Sequence, residues 1–339
     1  MKLNVVGVDI AKRVFQVHWV ERESGEIVSL QLKRGKFLEH FANREACMIG
    51  MEACGGAQHW ARELCKLGHQ VKLLAAKKVK PFVGGNKSDA ADARGIWLAM
   101  QEPKLREVAI KTEAQQAVLA LHRMREQLVK FRTAQINGLR GLLTEYGEVM
   151  PVGRAGFKRE IAAVLGRLAE RLPGLLMDTL REQLERIGEL DKQIVEIERR
   201  LKQWHEQDEN SQRIARIPGV GVLSATAAVA TMGDPKVYRS GRGFSAFLGL
   251  VPRQSGTGGK MRLLGISKRG DRYVRTLLIH GARAVLTHSK NPGEWLTNLQ
   301  RRRAKNVAVV AQANKMARTI WALVAHERNY EFGYVGQSV

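Results

Sequence analysis

At the front of the chain the apolar positions come in short, β-branched runs separated by turn-sized gaps. Residues 3–8 (LNVVGV), 14–20 (VFQVHWV) and 26–32 (EIVSLQL) predict three successive strands. A short helical stretch at Phe37–Phe41 follows, then CMIGMEA as a fourth strand, AQHWARELCKLG as a helix closed by Gly68, and QVKLLAA as a fifth strand. From Ser88, the run SDAADARGIWLAMQ sets a serine at the N-cap and acids in the first turn, both of which favour a helix start. The predicted order is βββαβαβα.

The period then lengthens. Between 113 and 146, Ala117, Leu121, Met124, Leu128, Leu139 and Leu142 stand at helical spacing and predict one long helix. Between 176 and 206, Ile187, Leu190, Ile194, Ile197, Leu201 and Trp204 alternate three and four apart, the heptad pattern of a coiled coil or a long helical hairpin. A seam this long needs a partner, so pairing between subunits is expected. Pro151 to Gly156 mark the joint between the helices, and beyond Gln212 glycine-rich turns separate short apolar helices. A chain of 339 residues supports more than one core. The expected divisions are 1–110 as an α/β domain, 111–211 as a helical linker for oligomerisation, and 212–339 as a mainly α domain.

Charge changes the picture. Fifty-six Lys and Arg against 33 Asp and Glu leave a formal net charge of +23, which makes a polyanion, nucleic acid first, the expected partner. The excess concentrates late: residues 236–305 hold 16 Lys and Arg against two acids, so the strongest polyanion site is expected in the C-terminal part. No run of eighteen apolar residues stands in the sequence, so no membrane partner is expected, and the start MKLNVVGVDIAK lacks the apolar core of a signal peptide, which points to the cytoplasm. Cys47, Cys54 and Cys65 lack CxxC spacing and read as buried thiols rather than a disulfide framework or zinc site.

Four acids stand out. Asp9 ends the first predicted strand and Glu52 lies at the end of the fourth; in a sheet of RNase H type those strands are neighbours. Asp89 and Asp92, three apart at a helix start, share one face. Taken singly, an acid at a strand end serves a turn and one in a first helical turn serves the dipole. Four converging carboxylates repel one another unless a cation neutralises them, and hard oxygen ligands suit Mg²⁺ or Mn²⁺ and hence phosphoryl chemistry.

A second constellation is GLVPRQSGTGGKMRLLGISKRGDRYVRTLLIHGARA, residues 249–283 and the alanine that follows. Pro252 and four glycines predict an exposed loop holding Ser255 and Thr257, ringed by Arg253, Lys260, Arg262, Lys268, Arg269, Arg272 and Arg275. A hydroxyl presented there can attack a phosphodiester if a base or metal takes its proton, or it can be a turn residue beside a phosphate-binding patch. GTGGKM is not a Walker motif. Upstream, RIPGVGVLSATAAVA reads equally as a helix-hairpin-helix, with Gly219 and Gly221 meeting phosphates, or as a tight helix pair. Lys12 and Lys87 flank the acids and complete the expected nucleic-acid contacts. His280 on the apolar LLIHGARA helix reads as a core or interface histidine.

GVDIAKRVFQVH, GMEACGGAQHWARELCKLGH, NKSDAADARGIW, LHRMREQLVKFRTAQINGLRGLL, RIPGVGVLSATA and the Ser255 block, in this order and over nearly the whole chain, resemble the IS110 transposase family, most closely its IS1111 branch. The resemblance implies an RNase H-like (RuvC-like) N-terminal α/β domain whose DEDD set falls on Asp9, Glu52, Asp89 and Asp92 and binds Mg²⁺ or Mn²⁺. It further implies a coiled-coil segment and a mainly α C-terminal domain, with a helix-hairpin-helix-like motif and a catalytic serine that links covalently to DNA. Donor and target DNA, a structured guide RNA and a homo-oligomer, dimer or tetramer, are the partners it implies. The commoner pattern sets the serine immediately before the GG, where Thr257 stands here; Ser255 is favoured because serine is the family's nucleophile. A RuvC-like junction nuclease and a non-catalytic nucleic-acid scaffold are the alternative functions.

Overall fold

The structure, a computed structural model, describes residues 3–84, 88–103 and 105–332. Lys87 therefore lies outside the described residues. The chain divides into two compact units, one of residues 1–115 with 232–243 and the other of 116–231 with 244–339.

In the first unit β1 (Asn4–Ile10), β2 (Val14–Val20) and β3 (Ile27–Lys33) form the expected antiparallel meander. After α1 (Phe37–Ala42) come β4 (Cys47–Glu52), α2 (Ala57–Lys66), β5 (Gln70–Leu74), the short α3 (Ala76–Val79), α4 (Asp89–Met100) and β6 (Glu107–Val108). The sheet order is β3-β2-β1-β4-β5-β6, with β4 parallel to β1 and β5 parallel to β4. The fourth strand thus lies beside the first, as the sequence required. One face carries Val6, Val8, Phe15, Val17, Ile49 and Met51 against Phe37, Phe41, Trp60 and Leu64. The period of two then sends Gly7 and Gly50, a register pair, to the opposite face.

That opposite face receives α4, and it does so at glycines. A Cβ on Gly7 would stand 2.4 Å from the Ala93 carbonyl oxygen and 2.7 Å from the Trp97 nitrogen; one on Gly50 would meet the Met100 side chain at 2.5 Å. The helix backbone therefore sits directly on β1, and its Met100 side chain on β4. Gly7→Ala is expected to cost about 1–3 kcal/mol of stability, because backbone rather than a flexible side chain must move, and to lower activity further by lifting α4. Melting curves and strand-cleavage assays check this. Ser88 caps the helix, accepting from the Ala91 amide at 3.2 Å.

In the second unit α5 (Glu113–Thr144), whose first residues belong to the first unit, α6 (Gly153–Ala169) and α7 (Gly174–Gln207) are followed by α8 (Glu209–Ala215), α9 (Val222–Met232) and α10 (Gly241–Phe247). Then come β7 (Pro252–Thr257), β8 (Lys260–Ile266), α11 (Arg272–His288), α12 (Glu294–Arg302) and α13 (Lys305–Ala325). The two long helices stand where periodicity put them. Pro151 lies in the break between α5 and α6, as expected of the joint, but a further helix, α6, intervenes before α7; its Phe157, Val164 and Leu168 join Ile136, Leu139 and Leu143 of α5 and Met177, Leu180 and Ile187 of α7 in one core. Further along, Leu201 packs with Val118 and Ala230. Arg132 bonds Asp191 at 2.6 Å and Arg125 bonds Glu198 at 2.7 Å, so α5 and α7 are also tied by charge.

The chain itself buries Ile187, Ile194 and Leu201 of the heptad seam, while Leu190, Ile197 and Trp204 are half-buried. Ile187, Ile194 and Leu201 are 8%, 4% and 0% exposed. Leu201→Ala is expected to cost about 2–5 kcal/mol of unfolding free energy while leaving the mass measured by light scattering unchanged.

A buried polar set joins α5, α9 and α11. Thr226 spends its hydroxyl proton on the Val222 carbonyl, so His122 Nε2–H donates to Thr226 at 2.9 Å and Nδ1 accepts from the Tyr273 hydroxyl at 3.0 Å. Burial pushes the His122 imidazole down to about 4, which keeps it neutral and this tautomer fixed. One smaller expectation fails, since Cys47 is buried but Cys54 and Cys65 are exposed; His280 is exposed on α11 and is not a core histidine. Among the described residues no helix is long and apolar enough to cross a membrane.

Candidate active site

The close seat of α4 decides where the acids go. Asp9 lies two residues after Gly7 and Glu52 two after Gly50, so all four share the α4 face. Register pairs Val8 with Met51, and the next step along sets Asp9 beside Glu52. Asp89 and Asp92 occupy the first turn of α4, ahead of Ala93 where the helix touches Gly7. The strands and the helix thus bring the four predicted acids to one end of one face.

Electrostatics records the result. Burial pushes the Asp9 carboxyl up from 3.8 to about 6, and Asp92, Asp89 and Glu52 add to the shift in that order; only a backbone hydrogen bond at Ile10 opposes it. None of these influences is a cationic side chain. Asp9 and Glu52 are half-buried, Asp92 likewise, and Asp89 is exposed, so the cluster opens to solvent on the side of the helix start. Among the described residues no three His, Cys, Asp or Glu side chains are drawn in closely enough to hold a metal ion as they stand.

Two polar residues beside the acids escaped the sequence reading. Gln16 pairs with Asp9 across the β1–β2 register, is 5% exposed and donates to Ser29 Oγ at 2.9 Å. His18 pairs with Gly7, is 4% exposed and stands edge-on to Trp97 of α4 at 5.7 Å. A signal for this face was present in the repeated Gly-x-acid of GVD (7–9) and GME (50–52), which sets a helix seat one pleat before each acid.

In the second unit the expected loop is a hairpin. Gly258 and Gly259 have φ of +55° and +77° and join β7 to β8 by a two-residue turn, the conformation that matches strand twist and that glycine alone adopts freely. The arm is exposed along its length, as predicted, and Ser255 pairs with Arg262 while Thr257 pairs with Lys260. Its base is fixed: Ser267 and Lys268 donate to the Val251 and Gly249 carbonyls, and Asn314 of α13 donates to Ser245 Oγ at 2.7 Å and to the Leu250 carbonyl at 3.1 Å. Arg253, Lys268, Arg269 and Arg272 are exposed, and Lys12 is exposed in the β1–β2 turn.

Arg275 is not part of that basic surface. It is 8% exposed, donates to the Leu248 carbonyl at 2.8 Å, and burial lowers its pKa; it braces α11 against the hairpin base. At the PGVG turn the two helices are α8 and α9. A Cβ on Gly219 would stand 2.6 Å from the Gly281 carbonyl oxygen of α11, so this glycine serves tight packing, whereas Gly221 is exposed.

A mixed sheet that carries four acids on its α4 face, in a chain of net charge +23, suits a polyanionic partner. Residues 6–148 match a DEDD transposase model of the IS110 type, and residues 211–296 match the family described as Transposase IS116/IS110/IS902. The chain is 45% identical over 338 residues to a "Probable family 20 transposase" of Pseudomonas aeruginosa, spanning 98% of this chain and 100% of that one. It is 42% identical over 335 residues to the "Transposase for insertion sequence element IS1111A" of Coxiella burnetii (98% and 92%), and 39% identical over 325 residues to that for IS1328 of Yersinia enterocolitica (95% and 96%). The chain belongs to the IS116/IS110/IS902 family of insertion-sequence transposases.

Proposed function

We propose that this transposase is an RNA-guided DNA recombinase that cuts and rejoins strands by transesterification through a serine. The observation that carries the reading is the placement of Asp9, Glu52, Asp89 and Asp92 on the α4 face of the sheet, where burial first, and then the three other acids, raise the Asp9 carboxyl to about 6. Such a set suits a divalent ion: Asp9, Glu52, Asp89 and Asp92, all oxygen donors, would hold Mg²⁺ or Mn²⁺. When bound, the ion supplies charge stabilisation at the scissile phosphate.

The chain's own residues do the rest. Ser255 Oγ attacks phosphorus as a carboxylate of the acid set takes its proton, and a phosphoserine ester forms as the strand's leaving oxygen departs and takes up a proton from solvent. A hydroxyl of the second DNA molecule then displaces serine and restores it. Arg262 and Lys260, on the same hairpin face, hold the phosphate, with Arg253, Lys268, Arg269, Arg272, Lys12, Lys87 and Gly221 along the backbone path. In a homo-oligomer, a dimer that becomes a tetramer on DNA, the serine of one subunit meets the acids of another. A structured RNA encoded by the element pairs with donor and target DNA, so that pairing reads sequence while the protein holds backbone.

Supercoiled donor and target plasmids, with and without the element's own RNA, test this. Joined recombinants that require both the RNA and Mg²⁺ are expected. Hydrolysed products alone would make the chain a RuvC-like junction nuclease, and binding without products a scaffold.

A further inference from the structure

The β7–β8 hairpin has two unlike faces. Residues opposite each other across an antiparallel pair share a face, and side chains alternate along each strand. Ser255 with Arg262 and Thr257 with Lys260 make a face of hydroxyls and cations; Gln254 with Leu263 and Gly256 with Met261 make the other. Met261 and Leu263 are 67% and 66% exposed. Water is a poor neighbour for two large apolar side chains on a projecting arm, so a partner is expected to cover them.

Charge names the partner. Residues 252–266 carry Arg253, Lys260 and Arg262 and not one acid, so the arm as a whole is drawn to a polyanion. A two-stranded ribbon fits a DNA groove, where one of its faces turns to the phosphates and the other to the bases. Apolar side chains that reach the bases on a basic element act as wedges, separating base steps. We propose that Met261 and Leu263 insert into the base stack of duplex DNA beside the phosphodiester that the Ser255 face engages. The wedge loosens the duplex where strands must part before exchange. This rests on the reading that the hairpin meets DNA, and not on which hydroxyl reacts.

The test uses the full-length protein carrying both Ser255→Ala and Thr257→Ala, so that DNA stays uncut whichever hydroxyl reacts, and a duplex bearing the element's terminal sequence with 2-aminopurine beside the cleavage position. A several-fold rise in 2-aminopurine fluorescence on binding is expected. Adding Met261→Thr and Leu263→Thr, which keep strand propensity, abolishes the rise while gel-shift binding persists through the cations. Equal fluorescence from both proteins overturns the wedge. So does an unchanged signal accompanied by a fall in the protein's mass on light scattering, which would assign the face to a second copy of the chain. If Lys260→Ala with Arg262→Ala leaves both binding and fluorescence intact, the hairpin does not meet DNA, and the underlying reading fails along with the wedge.

Discussion

Asp9→Asn is expected to abolish strand joining and yet to raise the melting temperature of the metal-free protein at neutral pH. Both effects come from the same carboxylate. Its folded pKa of about 6 exceeds the ordinary 3.8, so the folded protein holds a proton that the unfolded chain has already released. Stability of the metal-free wild type therefore falls as pH rises from 3.8 to about 6, and the whole penalty is present above that window. Asparagine carries no charge to repel Asp92, Asp89 and Glu52, so wild type and variant melt alike below the window and diverge through it. Adding Mg²⁺ at pH 7 restores the wild type and does little for the variant. Melting curves across pH, with and without Mg²⁺, check this; a melting difference independent of pH, or full activity in the variant, goes against it.

Ser255→Ala is expected to eliminate recombinants, with DNA binding kept because Arg253, Lys260 and Arg262 remain. Thr257→Ala should retain most activity. The two hydroxyls share one hairpin face, so geometry presents both, and they differ in what stands opposite. Ser255 faces Arg262, one pair back from the turn, whereas Thr257 faces Lys260 at the turn itself. Arginine's planar fork binds two phosphate oxygens at once and orients the group for attack, which a lysine point charge does not do. Recombinant yield from the two single variants, measured beside gel-shift binding, separates the roles.

What could be read from the sequence divides along physical lines. Strands with β-branched runs and helices with long apolar periods declared themselves, because each repeats its period over enough residues to outweigh local exceptions. The elements that carry the acids were legible, and they set Asp9, Glu52, Asp89 and Asp92 on the α4 face of the sheet, where each of the other three acts on the Asp9 carboxyl. Gly7 and Gly50 were not, since a glycine that seats a helix looks like any turn glycine until its neighbours are known. The partner of the α7 seam was likewise hidden. A heptad shows that a surface is buried but not by what, and here α6, which follows the break at Pro151, helps to cover it. The β7–β8 hairpin read as a loop because exposure on both faces removes the alternation that marks a half-buried strand, leaving glycine and proline as the visible signal. Arg275 belonged by sequence to a basic run and by structure to the hairpin base, a distinction only burial makes.

The central claim is that one serine and four acids form a single transesterification site. It is tested most directly by quenching a reaction on the element's DNA with denaturant, digesting the protein and locating the nucleotide-bearing peptide by mass spectrometry. A phosphodiester adduct on Ser255, absent in Asp9→Asn, is the predicted result. An adduct on Thr257, or normal product formation with no adduct on either hydroxyl, would contradict it.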